Sequence, residues 1–171
     1  MGQSLSARPA PDRPVLERTL ANAGASEGLG AELAHAIPWS LPQPMTVYLQ
    51  GELGVGKTTL ARGLLRELGV TGTVRSPSFT LLEIYECFGR RVLHLDLYRL
   101  AGSADVASLG LRDELAAGVL LMIEWPERAA GSLPGADLLI ALAMAGSGRQ
   151  ARIEAASTAG VAWLAAMAGA P

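Results

Sequence analysis

One short segment of the chain combines the residue types and the spacing that bind phosphate groups. Residues 51–58 read GELGVGKT and fit the pattern G-x-x-x-x-G-K-[ST], the Walker A motif of a phosphate-binding loop (P-loop). In such a loop, glycines let backbone N–H groups curl around phosphate oxygens, and the following helix N-terminus favours negative charge. Lys57 can then reach the β- and γ-phosphates, and the Thr58 hydroxyl can ligate Mg²⁺. The pattern predicts a site for a nucleoside triphosphate with magnesium.

Lys57 is the only lysine of the chain, since arginine supplies every other fixed positive side chain. A compact ammonium group fits inside a cradle of phosphate oxygens where a broad guanidinium would not. NTPases that read guanine use an N/T-K-x-D motif, which this chain cannot contain because its single lysine lies in the loop. The sequence therefore favours ATP among the nucleotides.

The elements on either side of the loop are those that a P-loop requires. Met45–Gln50 reads MTVYLQ, which is rich in strand-forming residues and runs directly into the loop. Residues 58–68 carry leucines at helical spacing and are followed by Gly69, a residue typical of helix ends. The predicted order is strand, loop, helix.

Two carboxylates follow apolar runs and are candidates to hold Mg²⁺ or its water. Asp96 comes after residues 92–95, VLHL, and Glu124 comes after residues 119–123, VLLMI. Each could instead be a helix cap or a solvated strand end. Trp125 follows Glu124 and could stack against the site or simply pack.

The remaining pattern predicts an α/β protein, a P-loop NTPase-like three-layer fold in which antiparallel hairpins flank central parallel strands. The apolar run at 119–123 is typical of a central strand that is buried on both faces. The other predicted elements are a strand at Val15–Leu20, a helix from Asn22 to about Ala36, hairpins formed by 79–87 with 91–97 and by 136–145 with 149–157, and a terminal helix at Thr158–Ala168 that packs Val161, Trp163, Leu164 and Met167.

Composition limits the classes of function. The chain has 171 residues, of which 50% are hydrophobic and 18% charged, and its net charge is −2. No chain-wide basic field exists to hold nucleic acid, so any RNA contact would be local. The single cysteine, Cys87, forms no internal disulfide, and no apolar run approaches the roughly 20 residues of a membrane helix. We expect a cytoplasmic protein with a disordered tail at 1–14 and one domain at 15–171.

Several polar residues have a structural interpretation that outweighs a functional one. His94 lies inside a predicted strand, where a buried, hydrogen-bonded histidine is more common than an acid or a metal ligand. Arg62, Arg66 and Arg75 could form a local basic face for tRNA or an acidic partner, but helix-surface arginines are ordinarily solvated or ion-paired. We expect no chemistry from these four residues.

Four linked segments resemble the TsaE (YjeE) family, small bacterial ATPases of the tRNA threonylcarbamoyladenosine pathway. They are GELGVGKTT at 51–59, SPSFTLLEIYE at 76–86, HLDLYRL at 94–100 and IEWPER at 123–128. The P-loop alone is shared with many NTPases, whereas the last two segments at this spacing are characteristic of the family. The resemblance extends from about residue 15 to residue 157.

The resemblance implies a role for each residue that matches a motif. Thr58 with Glu124 would hold Mg²⁺, and Asp96 would position the attacking water, although the roles of the two carboxylates can be exchanged. Lys57 would act with them in catalysis. Ser76 would begin a loop that senses the γ-phosphate, and Ser78 departs from the threonine of many members. The implied ATP-contacting residues are Glu52, Leu53, Gly54, Val55, Gly56, Lys57, Thr58, Thr59, Ser76 and Trp125.

The activity implied by the resemblance is slow Mg²⁺-dependent ATP hydrolysis, stimulated by a partner. The partner would be the threonylcarbamoyl-transferase complex, formed by proteins of the TsaB and TsaD type, which ATP hydrolysis would reset between turnovers. Contact with tRNA would be indirect or weak, and no membrane is implied. Two other classes remain open from the residues alone: a small-molecule kinase, and a nucleotide-sensing module that does not hydrolyse ATP.

Overall fold

A mixed sheet organises the part of the chain that the computed structural model describes, which is residues 13–100, 106 and 108–169. Seven strands lie in the order β1-β7-β6-β2-β5-β4-β3. The elements in chain order are β1 (Val15–Leu20), α1 (Ala23–Ala36), β2 (Met45–Gln50), α2 (Lys57–Glu67), β3 (Leu82–Cys87), β4 (Arg90–Asp96), α3 (Leu111–Glu114), β5 (Val119–Glu124), a 3₁₀ helix (Pro126–Ala129), β6 (Leu138–Ala145), β7 (Gly148–Ala155) and α4 (Thr158–Ala168).

The four inner strands are parallel, and the outer pairings are antiparallel. β2 pairs in parallel with β5 and β6, and β4 pairs in parallel with β5. The β3–β4 and β6–β7 hairpins flank this centre, and β1 joins β7 at the edge. All six residues of β5 are buried, as its apolar sequence predicts. The predicted fold class is confirmed.

The register of the parallel strands brings the predicted carboxylates together. Glu124 at the end of β5 lies beside Leu49 of β2 on one side and beside Asp96 of β4 on the other. The glycine-rich loop begins just after β2, at the same edge of the sheet. Ligands of open α/β sheets bind outside the carboxyl ends of the strands, which is where these residues meet.

Apolar residues cover both faces of the sheet. On one face α1, α2 and α4 pack over the strands, with Leu33, Leu64 and Trp163 among the buried side chains. On the other face the short helix α3 and adjoining loops cover a smaller cluster that includes Leu95 and Ile123. Alternate residues of β4 and β5 contribute to the two clusters, as the period of a strand requires.

Helix α2, which starts at Lys57, is held against α1 through two glycines. A methyl group on Gly30 would lie 2.2 Å from the Leu60 carbonyl oxygen, and one on Gly63 would lie 2.1 Å from the Glu27 carbonyl oxygen. The two helix backbones therefore approach more closely than any larger residue would permit. This packing fixes the helix that carries the loop.

Two local predictions differ from the structure. The predicted strand at 79–87 begins only at Leu82, because Leu81 has a φ of 64° and its N–H donates to the Pro77 carbonyl in a turn. Val161 of α4 is 43% exposed and does not pack with the buried Trp163. The predicted disordered tail falls mostly on residues 1–12, which lie outside the described residues.

None of the helices in the described part of the chain has the length and apolar character needed to span a bilayer.

Candidate functional site

The loop between β2 and α2 has the backbone shape of a phosphate cradle. Gly51, Gly54 and Gly56 all have positive φ, which residues with a Cβ adopt only under strain. A Cβ on Gly51 would also lie 2.4 Å from the Leu142 carbonyl oxygen. Gly56 is the N-cap of α2 and offers no side chain to cap it. The first backbone N–H groups of α2 are therefore able to bind an anion.

Lys57 lies inside this loop and is only 4% exposed. Its Nζ donates hydrogen bonds to the carbonyl oxygens of Gly51, at 2.6 Å, and Glu52, at 2.9 Å. Burial lowers the pKa of Lys57, and the negative charges of nearby carboxylates, led by Glu124, act in the opposite direction. A buried ammonium group thus lies where the loop would surround phosphate oxygens.

The Thr58 hydroxyl binds the Glu124 carboxylate. Its Oγ1 lies 2.9 Å from Glu124 Oε1 and 3.0 Å from Oε2. Glu124 is 2% exposed, and its Oε1 also lies 2.9 Å from His94 Nε2. The first turn of α2 and the end of β5 therefore supply a hydroxyl and a carboxylate in direct contact.

The second carboxylate, Asp96, is held separately at the end of β4. Its Oδ2 accepts a hydrogen bond from the Ser76 hydroxyl, and its Oδ1 accepts one from the Tyr98 backbone N–H at 2.9 Å. Asp96 is 4% exposed. The loop that begins at Ser76 is thus tied directly to the carboxylate side chain of Asp96.

Trp125 closes one side of the site. It has a φ of 59°, a conformation that is rare for a residue other than glycine and is found often at functional sites. Its ring centroid lies 3.9 Å from Lys57 Nζ and 5.0 Å from that of the Tyr98 ring. The indole therefore lies in cation–π contact with the Lys57 ammonium group.

These groups line one cavity of about 350 Å³. Its lining residues are Leu53, Gly54, Gly56, Lys57, Thr58, Thr59, Ser76, Ser78, Asp96, Tyr98, Arg99, Glu124 and Trp125. Twelve residues were expected at the site, and the structure brings ten of them into this lining. Glu52 and Val55 are the two exceptions. The Glu52 carbonyl accepts a hydrogen bond from Lys57, and the Val55 carbonyl accepts one from Arg149.

The sequence did not indicate the contributions of Tyr98 and Arg149. Tyr98 follows Asp96 by two residues, and this spacing within the HLDLYRL segment was the only available signal. Arg149 lies at the start of β7, far along the chain, and its Nε donates to the Val55 carbonyl at 2.7 Å. This hydrogen bond links β7 to the loop, and no local sequence pattern could have shown it.

The arginines considered for a basic face are partly neutralised. Arg62 and Arg66 each lie 3.3 Å from a carboxylate oxygen of Glu27. Arg75 is exposed within the segment that joins α2 to β3. The favoured interpretation of Arg62 and Arg66 as ion-paired residues is confirmed.

The sheet order and the glycine-rich loop define a P-loop α/β protein. The chain resembles the crystal structure of YdiB from Bacillus subtilis, with a TM-score of 0.72, 24% identity, and coverage of 93% of this chain and 97% of that one. At this identity the likeness establishes the fold.

Sequence comparison gives the family. The model of the threonylcarbamoyl adenosine biosynthesis protein TsaE matches residues 20–152, and the chain belongs to this family. Relatives named tRNA threonylcarbamoyladenosine biosynthesis protein TsaE include one from Haemophilus influenzae, 47% identical over 55% of this chain and 60% of that protein. Another, from Treponema pallidum, is 38% identical over 64% of this chain and 81% of that protein. The resemblance carried by the four sequence segments is confirmed.

Proposed function

We propose that this chain is a Mg²⁺-dependent ATPase that serves tRNA threonylcarbamoyladenosine modification as an accessory factor. The observation that carries the proposal is the contact between the Thr58 hydroxyl and the buried Glu124 carboxylate, directly beside Lys57 and an uncapped helix N-terminus. The residues of a phosphate and metal site are thus assembled at one point.

Different residues of the site bind the phosphates, position the attacking water and exclude solvent. The backbone N–H groups of the loop and the Lys57 ammonium group bind the phosphates. When the phosphates bind, Lys57 replaces its hydrogen bonds to the Gly51 and Glu52 carbonyls with contacts to phosphate oxygens. Asp96 accepts a hydrogen bond from the attacking water, and its contact with Ser76 lets the loop that begins at Ser76 respond to the γ-phosphate. Trp125 shields Lys57 from solvent.

The donor set fits Mg²⁺ rather than a metal held by protein alone. Across the described ranges, no group of three or more His, Cys, Asp or Glu side chains could hold a metal. Magnesium usually takes one or two protein oxygens and completes its shell with water and substrate phosphates. Thr58 and Glu124 provide such a pair, and the bound ion would neutralise charge on the β- and γ-phosphates.

The family supports the proposed pathway and partner. The relatives are named for tRNA threonylcarbamoyladenosine biosynthesis, and we assign this chain the same pathway in the cytoplasm. Its partner is the threonylcarbamoyl-transferase complex, formed by proteins of the TsaB and TsaD type, which hydrolysis resets between turnovers. A net charge of −2 and the pairing of Arg62 and Arg66 with Glu27 favour protein contact over direct tRNA contact.

The test is ADP release from Mg·ATP by the chain alone and with the complex of TsaB-type and TsaD-type proteins. Lys57→Ala and Glu124→Ala remove a phosphate ligand and a metal ligand. Arg152→Ala is the matched control, because Arg152 is exposed on β7 and pairs only with Glu154 among the described residues. We expect slow release alone, strong stimulation by the complex, and loss of release in the two site variants but not in the control.

Each alternative class gives a different result. ATP binding without ADP release in either condition would contradict hydrolysis and favour a nucleotide-sensing module. Release that is stimulated by small metabolites, and not by the protein complex, would favour a kinase.

A further inference from the structure

His94 is a buried polar residue whose ring makes one hydrogen bond within the described residues, to Glu124 of the candidate metal site. It lies in β4, its side chain is wholly buried, and its Nε2 is 2.9 Å from Glu124 Oε1. Because a carboxylate only accepts hydrogen bonds, the ring carries a hydrogen on Nε2. The other ring nitrogen, Nδ1, has no hydrogen-bond partner within the described part of the chain.

The apolar packing around this position does not account for a histidine. Its neighbours on the same face, Val92 in β4 and Met122 in β5, are buried apolar residues. A buried nitrogen without a partner destabilises the fold, and an apolar side chain of similar size would avoid that cost. What the imidazole provides, and an apolar residue would not, is the hydrogen bond from Nε2 to Glu124.

That hydrogen bond makes the two oxygens of Glu124 unequal. Oε1 lies 2.9 Å from both His94 Nε2 and Thr58 Oγ1, and Oε2 lies 3.0 Å from Thr58 Oγ1. The one hydrogen of the Thr58 hydroxyl is shared between the two oxygens, whereas the His94 N–H donates to Oε1 alone. Each carboxylate oxygen can accept about two hydrogen bonds, so Oε2 keeps more capacity to bind a cation than Oε1.

We propose that His94 is a positioning residue that fixes the Glu124 carboxylate by Oε1 and thereby presents Oε2 to the magnesium ion of Mg·ATP. The inference rests on the proposed function, because it needs Glu124 to hold the ion. Removal of a partner that orients a metal ligand typically lowers metal affinity about 10- to 100-fold. His94 thus acts on the metal through Glu124 without touching it.

The test measures affinity for the fluorescent nucleotide MANT-ATP with Mg²⁺ and with EDTA, in the wild type and three variants. His94→Gln places an amide donor at the position of Nε2, whereas His94→Asn reaches only as far as Nδ1. His94→Leu fills the space without a donor. The gain in affinity that Mg²⁺ gives is the readout, and urea unfolding midpoints report folding separately.

We expect the Mg²⁺-dependent gain to fall about tenfold or more in His94→Leu and His94→Asn, and to be largely kept in His94→Gln. Affinity in EDTA should stay within about twofold of wild type in all three, since the phosphates still meet Lys57 and the loop. If His94→Leu fails to fold, the contrast between the two amide variants decides the question.

Three other results would overturn the inference. A full Mg²⁺ gain in His94→Asn or His94→Leu would refute the role of His94 while leaving the proposed function intact. A parallel loss of affinity with and without Mg²⁺ would assign His94 a structural role only. A wild type that gains nothing from Mg²⁺ would refute the proposed magnesium site and the inference with it.

Discussion

Replacing Gly63 by alanine tests whether close packing of two helix backbones positions the phosphate-binding loop. The added methyl group would lie 2.1 Å from the Glu27 carbonyl oxygen of α1, and a backbone atom cannot turn aside as a flexible side chain could. Overpacking of this kind costs about 1–3 kcal/mol, and the closeness of this contact places the cost near the upper end. Alanine has a higher helix propensity than glycine, which offsets about 1 kcal/mol of this cost. We expect a net loss of about 2 kcal/mol in the free energy of unfolding.

Urea unfolding at 25 °C measures this loss, and Gly28 supplies the matched control. With a denaturant slope of about 2 kcal/mol/M, Gly63→Ala should lower the urea midpoint by about 1 M. Gly28 lies on the exposed side of α1 with nothing within 4 Å of its added methyl group, so Gly28→Ala should raise stability by about 0.5–1 kcal/mol. A Gly63→Ala protein as stable as the wild type would refute the packing argument.

Three further predictions concern single side chains. Thr58→Val removes a donor to the buried Glu124 and should lower the free energy of unfolding in metal-free buffer by about 1–3 kcal/mol; an unchanged urea midpoint would contradict the contact. Burial lowers the pKa of Lys57, so its amine loses charge at a lower pH than an ordinary lysine. Affinity for Mg·ATP should therefore fall about tenfold per pH unit above that pKa, and a profile flat to pH 10.5 would speak against it. Cys87 is a free, buried cysteine, and burial raises the pKa of its thiol. At pH 8 Cys87 should therefore react with a thiol reagent at least about tenfold more slowly in the native chain than in the urea-unfolded chain. Equal reaction rates would disprove its burial.

The sequence predicts most of the site because its parts follow strands and loops with strong local patterns. The P-loop is a continuous motif, so Lys57 and Thr58 could be assigned directly. Asp96 and Glu124 each end a buried apolar run, and parallel strands place such ends side by side. The strand predicted from residue 79 was wrong in its first residues, because a turn from Pro77 to Leu81 precedes β3. This turn follows Ser76, whose hydroxyl contacts Asp96.

Contacts between distant parts of the chain could not be predicted from local patterns. Glycine has low helix propensity, so Gly30 on its own weakens α1. Only the packed structure shows that the absence of a side chain at Gly30 allows α2 to approach α1 closely. Arg149 reaches the Val55 carbonyl from a strand almost a hundred residues later, and nothing in the hairpin sequence indicates it. His94 was expected to be buried and hydrogen-bonded, which is confirmed, but only the structure identifies Glu124 as its partner.

Calorimetric titration of the wild type and of Lys57→Ala with Mg·ATP tests the central claim most directly, with Mg·GTP as the comparison nucleotide. The account predicts that the wild type binds Mg·ATP and prefers it to Mg·GTP. It also predicts that Lys57→Ala, folded by its urea midpoint, binds Mg·ATP about 10- to 100-fold more weakly, because a hydrogen bond between charged groups contributes about 1.5–3 kcal/mol. Equal affinity of the two proteins for Mg·ATP would contradict the assignment of this loop as the phosphate-binding site.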